Sequence, residues 1–121
     1  MYILLAVGTG SFIGGILRYS LSQFLLQRTA AGFPFATMAV NIIGCFLIGL
    51  ALGVSEKGQL TDSFKLFLAT GLLGGFTTFS AFSHETMQLI RDGNWLLAGL
   101  YAGGSVVLGL MATVAGVWLA R

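Results

Sequence analysis

The sequence predicts an all-α integral membrane protein with four transmembrane helices per chain, and three observations lead to this prediction. First, 56% of the 121 residues are hydrophobic and only 8% are charged, whereas soluble domains carry roughly a quarter charged residues. Second, the hydrophobic residues form four runs close to the ~20 residues that a helix needs to cross a bilayer. Third, eight of the ten charged side chains (six basic, four acidic) fall between these runs, at their edges or at the C-terminus.

The same composition excludes several classes of protein. So few charges cannot cover the surface of a cytosolic enzyme, and a disordered tail would be far less apolar. Cys45 is the only cysteine, which excludes a disulfide framework and a cysteine-cluster metal site. Six basic residues leave too little positive charge to bind nucleic acid. With one histidine and no metalloprotease or phosphate-binding motif, the chain is not expected to be an enzyme.

The four runs are expected to form a single transmembrane domain over residues 1–121. None of them alternates polar and apolar residues, which argues against a β-barrel, and backbone that faces lipid must then be helical. The helices are expected at about residues 2–26, 35–54, 64–90 and 95–120.

The first run lacks the basic residues and the small-residue cleavage site of a signal peptide, so we expect it to stay in the membrane as a helix. Its glycines Gly10 and Gly14 are four residues apart, a spacing that lets helix backbones approach closely in lipid. Arg18 lies deep in this run. Two interpretations of Arg18 are open: it draws anions into a vestibule, or it anchors the helix end in the headgroups.

The second helix is expected to begin after Pro34, because the missing N–H of proline is tolerated at a helix start. Thr37 and Asn41 are four residues apart and share one face of this helix. Polar side chains at membrane depth are costly and often functional. The alternative is that they only hold the helices together by hydrogen bonds. Gly49 and Gly53 repeat the glycine spacing of the first helix.

The third run is unusually polar over GLLGGFTTFSAFSHET, residues 71–86. Gly74 and Gly75, followed by two threonines, predict a break near the middle of this helix, which must be buried or line a water-filled site. Carbonyls freed by a break can bind a small hard cation such as Na⁺. Beyond it, Phe79 and Phe82 share a face. Their electropositive ring edges, beside hydroxyl donors, would favour a small anion, although packing alone also explains such a pair.

Polar residues continue toward the end of the third helix and into the fourth. Glu85 has two open interpretations, a residue at the mouth of a pathway or a charge that reaches the membrane surface. In the fourth helix, Tyr101 and Ser105 share a face and form a second pair that could line a pathway. The four-residue glycine spacing recurs in the third helix and in the fourth, at Gly71/Gly75 and Gly99/Gly103.

Glycine content and loop charge together predict a dimer. Eighteen glycines give more close-packing faces than one protomer can satisfy, so we expect an oligomer, most simply a twofold dimer. Four crossings put Lys57, Lys65 and Arg121 on one side of the membrane, and Arg28, Arg91 and, if it counts, Arg18 on the other. Orientation follows the Lys/Arg difference between short loops, so this balance predicts insertion in both directions and permits an antiparallel dimer.

Three segments resemble motifs of the Fluc (CrcB) family of fluoride channels: GGILRY at residues 14–19, VNIIGCFLIG at residues 40–49 and GLLGGFTTFSAFS at residues 71–83. The third motif is highly specific, and the resemblance covers essentially the whole chain. It implies a fluoride-selective channel that exports fluoride passively and relieves its toxicity. It also implies a dual-topology antiparallel homodimer in the cell inner (plasma) membrane, crossing it several times and contacting its lipids.

The resemblance also assigns roles to individual residues. It implies a structural sodium ion at the dimer centre, held by backbone oxygens of Gly74 and Thr77 from both copies, and no organic cofactor. The fluoride pathway would contain Asn41, Phe79, Phe82 and Tyr101, with Ser80, Thr37 and Ser105 in its polar track. Arg18 would be the vestibule arginine and Glu85 a mouth residue. The chain departs from the family at Ala81 and Gly109, where hydroxyl residues are common.

Two rival functions remain for this sequence. A small dual-topology multidrug/proton antiporter would have the same length and helix count, but it needs a carboxylate inside the membrane. Glu56, Asp62 and Asp92 all lie outside the predicted helices or at their edges, and Glu85 is near a membrane edge. The other rival is a non-conducting assembly protein whose polar residues only bind helices to one another.

Overall fold

The computed structural model describes residues 2–29 and 32–121, and this part of the chain is helical without a strand. Four helical stretches are long and apolar enough to cross a membrane: Tyr2–Leu26, Phe35–Glu56, Asp62–Arg91 and Trp95–Ala120. The prediction of an all-helical chain with four membrane-crossing helices is therefore confirmed. Met1, Ala30 and Ala31, which the sequence analysis assigns to the N-terminus and the first loop, lie outside the described residues.

The first, second and fourth crossings are single helices, α1 (Tyr2–Leu26), α2 (Phe35–Glu56) and, at the end of the chain, α6 (Trp95–Ala120). The third crossing consists of α3 (Asp62–Lys65), a π-helix (Leu66–Leu73), α4 (Gly74–Phe76) and α5 (Phe79–Arg91). No signal in the sequence indicates the π-helix, in which hydrogen bonds join residues five apart instead of four.

The backbone between α4 and α5 is extended at two residues. Thr77 has φ −90° and ψ 156°, and Thr78 has φ −147° and ψ 122°. Gly74 and Gly75 are themselves helical, so the extended residues come directly after the glycine-containing turn. Threonine is β-branched and suits an extended backbone. The Thr78 hydroxyl then accepts a hydrogen bond from the Ala81 N–H at 3.2 Å and caps the start of α5.

Local backbone geometry sets the helix ends. Before α2, Pro34 has φ −80° and ψ 62° and the Phe35 N–H donates to the Phe33 carbonyl at 2.8 Å, which is an inverse γ-turn. After α5, Gly93 has φ +80°, and the N–H groups of Gly93 and Asn94 donate to carbonyls of the last helical turn. This Schellman motif ends the helix abruptly and makes the third loop very short.

Glycines bring the helices together in two pairs. In the first pair, α1 packs against the third crossing. A Cβ atom added to Gly10 would lie 2.6 Å from the Phe67 carbonyl oxygen, and one added to Gly75 would lie 2.6 Å from the Ser11 carbonyl oxygen. Gly14 and Gly71 have equally little room. The two glycine spacings predicted separately, on the first and the third helix, therefore face each other.

The second pair is α2 with α6. A Cβ atom added to Gly53 would lie 2.8 Å from the Val117 carbonyl oxygen, and Gly49 and Gly116 also meet the opposite backbone. Gly99 and Gly103 differ, because none of residues 2–29 and 32–121 has a neighbouring atom within 4 Å of a Cβ atom added to either. Their face of α6 is exposed.

Exposed tryptophans mark the two ends of the membrane-crossing region. Trp95 and Trp118 are 69% and 76% exposed at opposite ends of α6, about 35 Å apart at the helical rise of 1.5 Å per residue. Tryptophan favours the two membrane–water interfaces. This spacing matches a bilayer with its interfacial regions, so the chain is a multi-pass membrane protein.

The close approach at Gly14 makes a stability prediction. Gly14→Ala should lower the free energy of unfolding by about 1–3 kcal/mol, because the new methyl group would collide with the Leu72 carbonyl oxygen. The measurement is thermal unfolding of purified protein in detergent. Gly8→Ala on the same helix is the control, because a Cβ atom there has nothing within 4 Å. Equal losses in both variants would contradict the packing argument.

Candidate functional site

A cleft of about 360 Å³ lies between the two helix pairs, bounded by α2, the third crossing and α6. Six of the residues selected from the sequence line it: Asn41, Gly74, Thr77, Phe79, Phe82 and Ser105. The structure thus brings together four of the seven candidate pathway residues and both candidate sodium ligands. Thr37, Ser80 and Tyr101 are not among its lining residues. Among the described residues, no charged side chain lines the cleft.

Asn41 is bound to the extended segment of the third crossing. Its Nδ2 donates to the Thr78 carbonyl oxygen at 3.0 Å, and its Oδ1 accepts from the Thr78 N–H at 2.9 Å. One amide side chain therefore satisfies both backbone groups of an extended residue at membrane depth, where water is scarce. One N–H of the amide has no described partner, and Asn41 also lines the cleft. The residue thus both braces the backbone and faces the candidate pathway.

The extended segment leaves carbonyl oxygens without donors. The Thr78 N–H, which would reach the Gly74 carbonyl in a continuous helix, donates to Asn41 instead. The Ala81 N–H, which would reach the Thr77 carbonyl, donates to the Thr78 hydroxyl. Among the hydrogen bonds of residues 2–29 and 32–121, neither the Gly74 nor the Thr77 carbonyl accepts one. Both residues line the cleft, so two neutral carbonyl oxygens without described donors lie at its wall.

Arg18 contacts the same region from α1. Its Nε donates to the Gly75 carbonyl oxygen at 3.1 Å, and the side chain is partly buried. Two turns earlier, the Ser11 hydroxyl donates to the Gly71 carbonyl oxygen at 3.4 Å. Arg18 is therefore held inside the protomer at the end of α4, and the structure gives its guanidinium a backbone partner that the sequence did not indicate.

Glu85 connects three helices. The Thr37 hydroxyl of α2 donates to its Oε1 at 2.6 Å, and the Tyr101 hydroxyl of α6 donates to its Oε2 at 3.3 Å. Tyr101 has no exposed surface in the protomer. Both carboxylate oxygens thus accept hydrogen bonds from candidate pathway residues, so two of the three candidates that do not line the cleft meet here.

An aromatic row runs from the cleft to the first loop. The ring centroids of Phe79 and Phe82 are 5.7 Å apart, and those of Phe82 and Tyr101 are 5.2 Å apart. Tyr101 then meets Phe33 edge to face, with centroids 5.6 Å apart and planes at 88°. Phe79, the first ring of the row, is 79% exposed. Phe33 was not selected from the sequence because it lies in a loop, outside any helical spacing.

Two candidate hydroxyls differ in their partners. Ser80 is exposed, and its hydroxyl shares a hydrogen bond with the Thr78 hydroxyl at 3.2 Å. The Ser105 hydroxyl is buried and has no partner within the described part of the chain. Buried polar groups are nearly always hydrogen-bonded, so this hydroxyl, in a cleft-lining residue, is a free donor or acceptor for something that enters the cleft.

Other residues that line the cleft were not predicted from the sequence. Gly44, Cys45 and Thr78 line it beside the selected residues. Gly44 and Cys45 follow Asn41 by one helical turn, so the shared face of α2 could have indicated them. Thr78 acts through its backbone, for which a sequence carries no direct signal.

Comparisons with known proteins agree with this architecture. A family model described as CrcB-like protein, Camphor Resistance (CrcB), matches residues 5–117. Proteins named fluoride-specific ion channel FluC are similar over nearly the full length of the chain. The relative from Roseiflexus sp. (strain RS-1) is 45% identical over 119 residues, covering 98% of this chain and 96% of the relative.

Two further relatives carry the same name. A protein from Thermus thermophilus is 47% identical over 112 residues, covering 93% of this chain and 88% of the relative. The protein from Phocaeicola vulgatus is 39% identical over 121 residues and is covered completely. The name denotes a non-enzymatic activity, which confirms that the chain is not an enzyme. On the match of residues 5–117 and these near full-length relatives, this multi-pass membrane protein belongs to the CrcB family.

Proposed function

We propose that this protein is a fluoride-selective ion channel that lets fluoride leave the cell passively and so relieves fluoride toxicity. The observation that carries the proposal is the cleft, where aromatic rings and a buried hydroxyl without a partner lie at membrane depth without any charged side chain. The relatives named as fluoride-specific channels support it independently.

The chemistry of the cleft suits a small anion. Fluoride holds its water tightly, so a pathway must replace that water with several donors. The Ser105 hydroxyl, the second N–H of Asn41 and the electropositive edges of Phe79 and Phe82 supply such donors. A fixed positive charge would bind the anion too strongly, and conduction requires binding from which the ion can escape. A second copy that narrows this cleft to the width of a fluoride ion would reject the larger chloride ion.

The pathway is proposed to be completed by a second copy of the chain. Phe79 is 79% exposed although it lies at the candidate site, and the Gly99–Gly103 face of α6 has no partner in the protomer. Arg18 donates to backbone inside the protomer, so it does not count as a loop charge. Three basic residues (Lys57, Lys65, Arg121) on one side then oppose two (Arg28, Arg91), a small difference that favours a dual-topology antiparallel homodimer.

A structural sodium ion is proposed at the centre of that dimer. The free carbonyl oxygens of Gly74 and Thr77 would hold it, two from each copy, and neutral oxygens are the ligands that a small hard cation takes. The ion would join the two copies by binding oxygens that the extended backbone leaves without donors. Gly74 is exposed on the protomer surface, which leaves its oxygen accessible to an ion shared with a partner.

Export would need no energy source of its own. HF enters passively from acidic surroundings and dissociates at neutral pH, and the anion then leaves down its electrochemical gradient. The multidrug/proton antiporter is the alternative, and the geometry favours it less. Glu56 and Asp62 lie at the membrane surface beside Arg121 and Lys65. Glu85 is held by two hydroxyls instead of facing the cleft.

Halide-resolved efflux tests the channel directly. Vesicles that contain the purified protein and fluoride should release fluoride under an imposed potassium gradient, without a proton gradient, and vesicles loaded with chloride should retain it. An ion-selective electrode measures both. Equal release of the two halides, or none, would exclude a fluoride-selective channel, and release that requires a proton gradient would indicate the antiporter.

The same assay tests the aromatic rings. Phe82→Ile should slow fluoride release by about tenfold or more, equivalent to about 1.4 kcal/mol, because isoleucine lacks the electropositive ring edge. Phe64→Ile is the matched control. Phe64 also pairs with another ring, Phe67 at 6.1 Å, but it is half exposed and lies outside the cleft. Normal release from the Phe82 variant would make this ring a packing residue only.

The double hydrogen bond of Asn41 makes a further prediction. Asn41→Asp should abolish or strongly reduce fluoride release, because it replaces the donor to the Thr78 carbonyl with an oxygen and adds negative charge to the cleft. Asn94→Asp is the matched control, since Asn94 lies in the third loop and its side chain makes no capping hydrogen bond. Release at the wild-type rate from the Asn41 variant would show that neither the brace nor the cleft charge matters.

Orientation can be measured in intact cells. Single cysteines introduced at Lys57 and, separately, at Arg91 into a Cys45→Ser background should each react partly with an impermeant thiol reagent. In a dual-topology population every loop faces outward in some copies. Complete labelling at one position with none at the other would mean a single orientation and would exclude the antiparallel dimer.

A further inference from the structure

Four successive carbonyl oxygens, those of Gly74, Gly75, Phe76 and Thr77, lose their helical donors where the third crossing becomes extended. In a continuous helix each of them would accept a backbone N–H four residues later. None does so among the described hydrogen bonds. The Gly75 oxygen instead accepts the Nε–H of Arg18 at 3.1 Å. It is the one oxygen of the four for which the described residues provide a new donor.

We propose that Arg18 determines the cation specificity of the sodium site by withholding the Gly75 carbonyl from it. This inference rests on the proposed function, because it concerns the ion that the Gly74 and Thr77 oxygens would hold. It assigns Arg18 a role different from attracting anions into a vestibule. The hydrogen bond from Arg18 supports this role, because it occupies the Gly75 oxygen, which directly follows the candidate ligand Gly74 in the sequence.

Packing fixes the position of Arg18. Gly75 lies so close to α1 that a Cβ atom added to it would be 2.6 Å from the Ser11 carbonyl oxygen, and Gly14, one turn before Arg18, meets the Leu72 carbonyl in the same way. The two backbones are therefore in direct contact beside the hydrogen bond. The hydrogen bond therefore holds the partly buried guanidinium at the Gly75 carbonyl, next in sequence to the candidate ligand Gly74.

The number of oxygens that surround a cation affects which cation fits. Two copies that each offer Gly74 and Thr77 provide four oxygens, which suits a small ion such as Na⁺. If Gly75 also turned to the ion, two copies would provide six, and a larger number of carbonyl dipoles favours the larger K⁺. The positive charge of Arg18 also favours Na⁺ over K⁺, because it repels any cation that extends toward Gly75. Arg18 thus keeps the site small.

Cation-dependent stability of the purified dimer tests the inference without measuring transport. Thermal unfolding is followed in LiCl, NaCl, KCl and N-methylglucamine chloride at equal ionic strength. The wild-type dimer should be stabilised most by Na⁺, since a ligand that binds only the folded form raises its stability. In Arg18→Met, which has no donor and no charge, K⁺ should stabilise at least as well as Na⁺. The K⁺ concentration for half-maximal stabilisation should fall by about tenfold or more.

Two controls separate the charge and the donor from general damage to the α1 contact. Ser11→Ala removes a different hydrogen bond from α1 to the third crossing, to the Gly71 carbonyl, and should keep the wild-type cation order. Arg18→Lys keeps a charged donor and should also keep Na⁺ ahead of K⁺. If Arg18→Met does not yield a folded dimer in any salt, Arg18→Leu takes its place, since it also lacks a charge and a donor: a shift toward K⁺ in that variant supports the inference, and an unchanged preference for Na⁺ contradicts it.

The outcomes distinguish the inference from the proposal beneath it. If the wild-type dimer has the same thermal stability in all four salts, it has no sodium site, and the structural sodium ion is removed from the proposed function. If Na⁺ stabilises the wild type and Arg18→Met shows the same cation order, the sodium site stands but Arg18 does not select its ion. A shift toward K⁺ in Arg18→Met alone is the result that the inference requires.

Discussion

The hydrogen-bonding demand of two extended residues inside a membrane governs this structure. Lipid offers no donors or acceptors, so Thr77 and Thr78 can leave the helix only if side chains replace the lost partners. Asn41 satisfies both backbone groups of Thr78, and the Thr78 hydroxyl caps α5. In a continuous helix the N–H groups of Thr78 and Ala81 would donate to the carbonyls of Gly74 and Thr77. Here they donate to side chains instead, so these two carbonyls have no described donor. The candidate cation site is thus a direct product of the way the extended segment is held.

The same region combines very close packing with open space. Gly10, Gly14, Gly71 and Gly75 let two backbones touch, and such contact fixes the position of the third crossing on α1. On its other side the third crossing borders the cleft, where Phe79, Phe82 and Ser105 have room around them. The glycines therefore fix the face of the third crossing that contacts α1. The face that borders the cleft remains available to an ion or to a second copy of the chain.

Residue spacing predicted the part of the structure that the membrane imposes. Four apolar runs gave four crossings, and the pairs Gly10/Gly14 and Gly71/Gly75 lie at helix contacts. Spacing along one helix cannot show which helix lies opposite, so the Thr37–Glu85–Tyr101 cluster and the partner of Arg18 were out of reach. The π-helix was also out of reach, because its hydrogen bonds differ from those of an α-helix without a distinct residue pattern. Phe33 was missed because it acts from a loop.

The arrangement of the helices in two glycine-packed pairs has a mechanical consequence. Contacts are dense between α1 and the first part of the third crossing (residues 66–76) and between α2 and α6. They are sparser between the two pairs, where α5 packs mainly against α6. The two helix pairs should therefore move relative to each other most easily along the boundary between them, where the cleft lies. The Asn41 amide crosses that boundary and ties the pairs together at Thr78. Glu85 adds two more links across it, to Thr37 and to Tyr101. These few side-chain hydrogen bonds limit how far thermal motion can widen the cleft.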